Sequence, residues 1–468
     1  MPGSAPAARA SLESPRTSES LQKRRTLELV DEPGSIASTR VSTEASEKAE
    51  DVTYENSFPE GGRGWVVVLG CFILLMEGYF YFPWGYEPDT YSLVWGVTEE
   101  FFKEHMFPDT PDSVLTTLGS MSCLIMTLGG IAAGKLADRY GYKPFLAAGA
   151  VIWVASMLAA AFCTEIWQFF LTMGVMQGIS DALVFPLIVA LPSQWFLRRR
   201  AFATGIVVAG SSIGGAIASL VYRQLLSTLG LRRALAIFTA IDALAFLCGY
   251  AMLEERRPAE KRPPLVWFDR AFFADPVFWS LAMCFFFTVF GYLGPIFLLP
   301  TFTEEKAAVG TSAIMLALPV TVLNISAAVG RIFIGFAADK FGPVNALFVA
   351  IALSGLTQLV VWMFVTTYAG IMVFAILYGF FCGCFLSLMS AVAAKVYGVE
   401  RLAGLSGLLL LFNAPGYAAG APVGGAILGA TRNNWQVVAG YSGAVQVLGA
   451  LCLVYARLKR EPNLFAAY

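Results

Sequence analysis

Twelve long apolar runs leave this chain few folds to choose from. They lie near residues 64–84, 114–133, 145–163, 166–191, 203–222 and 233–253, then 275–299, 311–334, 346–365, 370–394, 404–430 and 435–456. An α-helix needs about 20 mostly apolar residues to cross about 30 Å of hydrocarbon, where no water is available to satisfy backbone polar groups. Of the 468 residues 57% are hydrophobic and only 14% charged, against about 25% charged in a typical soluble domain. Mean hydropathy is +0.65. A net charge of −1 offers no basic patch, which argues against a nucleic-acid partner. The sequence therefore predicts an all-α membrane protein with twelve transmembrane helices.

The charged residues set the expected topology. Residues 1–58 hold 17 of the 65 charged side chains. Rich in Ser, Thr, Glu and Pro, this stretch lacks the apolar surface to offset ordering entropy, so residues 1–63 read as a disordered cytoplasmic tail with no secretory leader. With the N-terminus inside, cytoplasmic segments hold 25 of the 32 Lys and Arg, outside loops hold six, and Arg331 lies in a span. That asymmetry puts both termini in the cytoplasm. The charged linker 254–274 separates a first six-span half, 64–253, from a second, 275–456, and 457–468 form a short cytoplasmic tail.

All eight cysteines fall within predicted spans, and His105 is the single histidine. No disulfide framework, zinc site or nucleophile–base constellation is implied, and neither a cofactor nor an enzymatic activity is expected.

Each half carries the same landmark after its second span. The first is Gly134-Lys135-Leu136-Ala137-Asp138-Arg139-Tyr140-Gly141, and the second, 201 residues later, is Gly335-Phe336-Ala337-Ala338-Asp339-Lys340-Phe341-Gly342. The spacing predicts a carboxylate and a cation in a tight cytoplasmic turn, the glycines permitting the reversal. Gly134, Asp138, Arg139, Gly141, Gly335, Asp339, Lys340 and Gly342 are thus candidates for a conformational switch that latches and releases neighbouring helices.

The duplicated loop resembles the signature of the major facilitator superfamily. That resemblance implies two six-helix bundles about a pseudo-twofold axis, with a central substrate site and alternating access. Two further stretches resemble the monocarboxylate porter family, in a form similar to fungal members. They are Pro59-Glu60-Gly61-Gly62-Arg63-Gly64-Trp65 before the first span, and Trp195-Phe196-Leu197-Arg198-Arg199-Arg200-Ala201-Phe202-Ala203-Thr204-Gly205 with Ala209-Gly210-Ser211 entering the fifth. In that family a lysine ending span 1 and an Asp–Arg pair in span 8 handle proton and carboxylate. Arg331 matches the arginine, but Ala327 stands where the aspartate would be and Trp84 where the lysine would be. The first half is also longer before its motif, and residues 85–96 read either as an outside loop or as an insertion splitting the end of span 1.

Charges inside spans are costly and usually face a cavity or a partner. Arg331 is the candidate ligand for a carboxylate, since guanidinium can offer two parallel hydrogen bonds; the alternative is an arginine snorkelling outward or pairing with the loop motif. Asn324 is its neutral companion on the same span. Asp181 and Glu77 are candidates for proton coupling, Asp181 alternatively making a structural hydrogen bond. Asp242 reads as structural, and Asn413 as a further neutral companion.

The function expected from these features is secondary active transport of a small, monocarboxylate-like organic anion across the plasma membrane, with proton coupling. Export of a secondary metabolite or organic acid is the alternative, and a transporter-like nutrient sensor is the alternative of another class. The expected partners are the small-molecule substrate, the bilayer and protons; the sequence does not reveal an ancillary subunit.

Overall fold

Helices form wherever the sequence is apolar for more than about five turns, as backbone self-satisfaction in a hydrocarbon solvent demands. The computed structural model describes residues 58–78, 98, 101–110, 112–256, 264, 265, 267, 270–306 and 313–461. Its long helices are α1 (Arg63–Gly78), α2 (Asp112–Tyr140), α3 (Tyr142–Ala160), α4 (Ile166–Gln194), α5 (Arg200–Leu229) and α6 (Leu231–Met252). They continue with α7 (Pro276–Lys306), α8 (Ala313–Phe341), α9 (Pro343–Val360), α10 (Tyr368–Tyr397), α11 (Leu402–Ala430) and α12 (Trp435–Arg460). Among the described residues there is no strand, and eleven helices are long and apolar enough to span a membrane. The described part of α1 is 16 residues long. The proposed loop or insertion at 85–96 falls outside the described residues.

Burial sorts the helices into an inner and an outer set. Of the most apolar window of each, 78% is buried in α4, α5 and α7 and 72% in α11, against 33% in α3 and α6, 39% in α9 and 44% in α12. The outer helices show large apolar side chains to the surroundings, such as Val151, Leu247, Val360 and Leu451. Such a surface suits lipid and not water. The outer pairs α3, α6 and α9, α12 occupy equivalent places in the two repeats.

Within each half small residues bring helices together. A side chain at Gly210 or Gly214 of α5 would collide with the α1 backbone at Phe72 or Met76, and one at Gly291 of α7 with Ser442 of α12. Buried polar pairs fix the register. The Trp153 indole of α3 donates to Asp242 of α6 at 3.1 Å, and the Gln358 amide of α9 donates to Gln446 of α12 and to the Gly291 carbonyl. Asp242 is thus a structural acceptor.

Both duplicated motifs are helical for most of their length, which corrects the expectation that the carboxylate and cation sit in a tight turn. α2 runs through Gly134 to Tyr140 and α8 through Gly335 to Phe341. The reversal falls on Gly141 and Gly342 alone, at φ +105° and +92°, a region open to glycine at little cost. Gly134 and Gly335 serve close approach instead: a Cβ there would strike the carbonyls of Ala403 in α11 and Ala201 in α5.

Candidate functional site: a carboxylate latch and a buried arginine

The two halves meet where the motifs lie, hereafter the motif face. Asp138, at the end of α2, accepts a hydrogen bond from the Gly404 backbone N–H in the first turn of α11 at 2.7 Å, and the Tyr142 hydroxyl donates to its other oxygen at 2.9 Å. Asp339, at the end of α8, accepts from the N–H groups of Ala201 and Phe202 in the first turn of α5, both at 2.9 Å. The first N–H groups of a helix have no partner within it and carry the positive end of its dipole, so a carboxylate is well matched to them. Each repeat therefore contributes one acid to the other half's helix start. The cations beside them do not cross: Arg139 is exposed, and the Lys340 ammonium lies 4.5 Å from the centre of its own helix's Phe336 ring.

The two shorter stretches quoted above are in contact. Glu60 Oε1 accepts from the N–H groups of Leu197 and Arg198 at 2.6 and 2.7 Å. Trp65 packs on Phe196 with ring centroids 4.7 Å apart, and Gly64 leaves the room that the Phe196 ring needs. Arg63 pairs with Glu254 at 2.8 Å; Glu255 accepts from the first N–H groups of α3, at Tyr142 and Lys143. The start of the linker is thereby tied to the first half. Sequence reading quoted Glu60 only as part of a motif and assigned it no role. The signal was present: an acid just before a span, with another segment's unpaired helix start to satisfy.

Above the latch, Arg331 of α8 is buried, with 5% of its surface exposed. Its Nη1 donates to the Val208 carbonyl at 2.8 Å and to the hydroxyls of Ser211 and Ser212 at 2.8 and 2.7 Å, all on α5 of the other half. Its Nε donates to the Gly383 carbonyl at 3.3 Å. Gly383 interrupts α10 between Cys382 and Cys384, and a Cβ there would lie 2.7 Å from the guanidinium. No carboxylate pairs with Arg331 among the described residues. It neither snorkels outward nor joins the loop motif; it bridges the halves through neutral acceptors. At the equivalent place in the first repeat, Gly130 lies directly on Gly407 of α11.

The other sequence candidates are not gathered around it. The Asn324 amide, two turns along α8, donates to its own helix at the Val320 carbonyl, 3.0 Å away. Asp181 of α4 is buried at 7% exposure, and its Oδ2 has no hydrogen-bond partner among the described residues. It lies within electrostatic reach of Cys123 on α2. Glu77 is in α1, but its side chain falls outside the described residues. No group of three or more potential metal ligands occurs among the described residues.

The family described as Major Facilitator Superfamily matches residues 90–317 and 304–466. The chain belongs to the major facilitator superfamily. Among its relatives, the MFS-type transporter pynF of Aspergillus niger is 27% identical over 407 residues, covering 86% of this chain and 90% of that protein. The aspyridones efflux protein apdF of Emericella nidulans is 30% identical over 407 residues, 86% of this chain and 79% of that one. The fujikurins efflux protein of Gibberella fujikuroi is 27% identical over 433 residues, 91% and 89% of the two chains. The crystal structure of the human organic anion transporter MFSD10 superposes with a TM-score of 0.67 at 18% identity, covering 84% of this chain and all of that one. This facilitator is therefore a multi-pass membrane transporter, whose fold supplies the two halves that the latch joins.

Proposed function

We propose that this facilitator exports an organic anion of the secondary-metabolite class across the plasma membrane by alternating access, with the motif face and both termini in the cytosol. The observation that carries this reading is Arg331: a buried cation, shared between the halves, with only neutral acceptors among the described residues. Burying a guanidinium without a counter-charge is costly, and an anionic substrate would supply that charge. Its arrival would draw Arg331 from Val208, Ser211 and Ser212, loosening α8 from α5, so that occupancy and opening of the motif face are linked. Asp181, buried and unpaired at Oδ2, is assigned the coupled proton, with Glu77 as the other acid and Asn324 as a polar neighbour of the site. The relatives named as efflux proteins for fujikurins and aspyridones support export. Monocarboxylate symport is the second reading, supported by the family-like stretches at Pro59–Trp65 and Trp195–Ser211.

Two measurements test this. Deleting the gene in its host and profiling cells and medium by mass spectrometry should show an acidic product retained in cells and restored to the medium by wild type but not by Arg331→Ala. Purified protein in liposomes, given labelled monocarboxylates with and without a proton gradient, should show little uptake. Gradient-driven uptake lost in Arg331→Ala would instead establish symport, and export undiminished in that variant would remove the arginine from the site.

A further inference from the structure

Two buried amide side chains at one level of the fold carry polar atoms without a hydrogen-bond partner among the described residues. In α4, Gln177 is 2% exposed and its Nε2 has no hydrogen-bond partner; in α11, Asn413 is fully buried and neither Oδ1 nor Nδ2 has one among the described residues. Leaving a buried amide unpaired costs about 1–3 kcal/mol, and such groups in native proteins call for an explanation.

The glycine contacts give the register. Gly129 of α2 faces Ala182 of α4, and Gly178 of α4 faces Ser122 and Ile125 of α2, so α2 and α4 run parallel with Leu124 level with Gln177. On another side α2 meets α11 in the opposite sense. Gly134 faces Ala403 and Gly130 faces Gly407, which puts Leu124 level with Asn413. Asp181 lies one turn nearer the motif face. Arg331 reaches the same zone: its backbone is at Gly205, but its head is held by Ser211 and Ser212, about 10 Å further along α5 at 1.5 Å per residue. Cation and unpaired amides thus stand at one level of the two halves.

We infer that Gln177 and Asn413 form a second, neutral subsite for the transported molecule, one that takes an amide or an equivalent adjacent donor and acceptor. An amide side chain offers a carbonyl and an NH2, and two of them can hold a group that both donates and accepts. A bare short-chain carboxylate would satisfy Arg331 and leave both amides unpaired; a substrate carrying an anion plus an amide-like group would satisfy all three. The inference rests on the transport reading above and narrows its substrate class.

The test uses full-length protein in lipid nanodiscs and liposomes, with probes in pairs: N-acetylphenylalanine against 3-phenylpropionate, and other N-acetyl amino acids against their parent acids. These partners share the carboxylate and the hydrocarbon and differ by the acetamido group. Wild type should favour the acetamido member of at least one pair by tenfold or more in binding. In Asn413→Leu and Gln177→Met that preference should fall to within twofold. The unliganded melting midpoint of Asn413→Leu should equal or exceed that of wild type, because an unpaired polar group has been replaced by an apolar one. A midpoint lowered by more than about 5 °C would mark a structural hydrogen bond and overturn the proposal. So would a preference that survives both variants, or a wild type indifferent to every pair. Arg331→Ala separates the two readings: if it transports both members undiminished but keeps the acetamido preference, the arginine assignment fails and the subsite stands.

Discussion

Glu60 and Asp339 hold one short segment from opposite halves of the protein. Glu60, ahead of α1, accepts from the N–H groups of Leu197 and Arg198, and Asp339, at the end of α8, accepts from those of Ala201 and Phe202. The α5 start is thus fixed to its own half by one carboxylate and to the other half by the second. Of these four bonds, only the two to Asp339 need break when the halves part, because Glu60 travels with α5.

A double-mutant cycle tests that division. Hydrogen bonds to a charged acceptor contribute about 1.5–3 kcal/mol. Glu60→Gln should lower thermal stability by up to that amount, and Asp339→Asn by less. The pair should be non-additive by at least about 0.5 kcal/mol, since both act through the same turn. Strict additivity in nanodisc melting curves would show that the two carboxylates work independently.

The latch has two sides. Asp339 holds the N–H groups of Ala201 and Phe202 in α5, and Asp138 holds that of Gly404 in α11. Asp339→Asn and Asp138→Asn should each open the motif face. Spin labels replacing the exposed Tyr140 and Glu400 would read the opening as a longer-distance population in electron–electron resonance. An unchanged distance distribution in both variants would exclude the latch.

Gly383 makes room for the arginine. Gly383→Ala sets a methyl group about 2.7 Å from the guanidinium, so Arg331 must leave its bonds on α5. Transport should fall at least tenfold while folded yield from size-exclusion chromatography stays near wild type. Wild-type rates in Gly383→Ala would mean that the bridge to Val208, Ser211 and Ser212 is dispensable.

Arg331→Lys should behave like Arg331→Ala in transport. An ammonium is a single point of donation and cannot reproduce a planar fork reaching α5 and the Gly383 carbonyl at once. Recovery of more than half the wild-type rate in the lysine variant would show that charge alone suffices.

Close approach of α2 and α11 carries its own expectation. A Cβ at Gly407 would strike the Gly130 carbonyl, so Gly407→Val should cost about 1–3 kcal/mol through overpacking and hold the motif face apart. Hydrogen exchange at the α11 start would report it as faster exchange at Gly404, the N–H bound by Asp138.

The membrane class and most spans were legible because hydrocarbon admits so few backbone solutions that apolar run length nearly decides the matter. The duplication was legible because equivalent turns need glycine at equivalent places, as Gly141 and Gly342 show with their positive φ. Partnerships were not. Asn324 was grouped with Arg331 as a neutral companion on the same span, yet its amide is spent on its own helix. Gln177 was passed over as a neighbour of Asp181, and Asn413 was noted only as a neutral companion. Nothing local distinguishes a paired buried amide from an unpaired one, because the distinction depends on which helix lies opposite.

What the sequence by itself determined was the solvent this chain lives in, the number of its apolar runs and the repeat of its motif. All of these follow from local hydropathy and from glycine's freedom at a turn. Only the tertiary structure decided that Arg331 bridges the halves with no carboxylate partner among the described residues, that Asp138 and Asp339 each meet the other half's helix start, and that Gln177 and Asn413 stand level, with polar atoms unpaired among those residues. Those facts depend on contacts between residues far apart in the chain, and helix packing sets them through shape at glycine-lined crossings that no local pattern encodes.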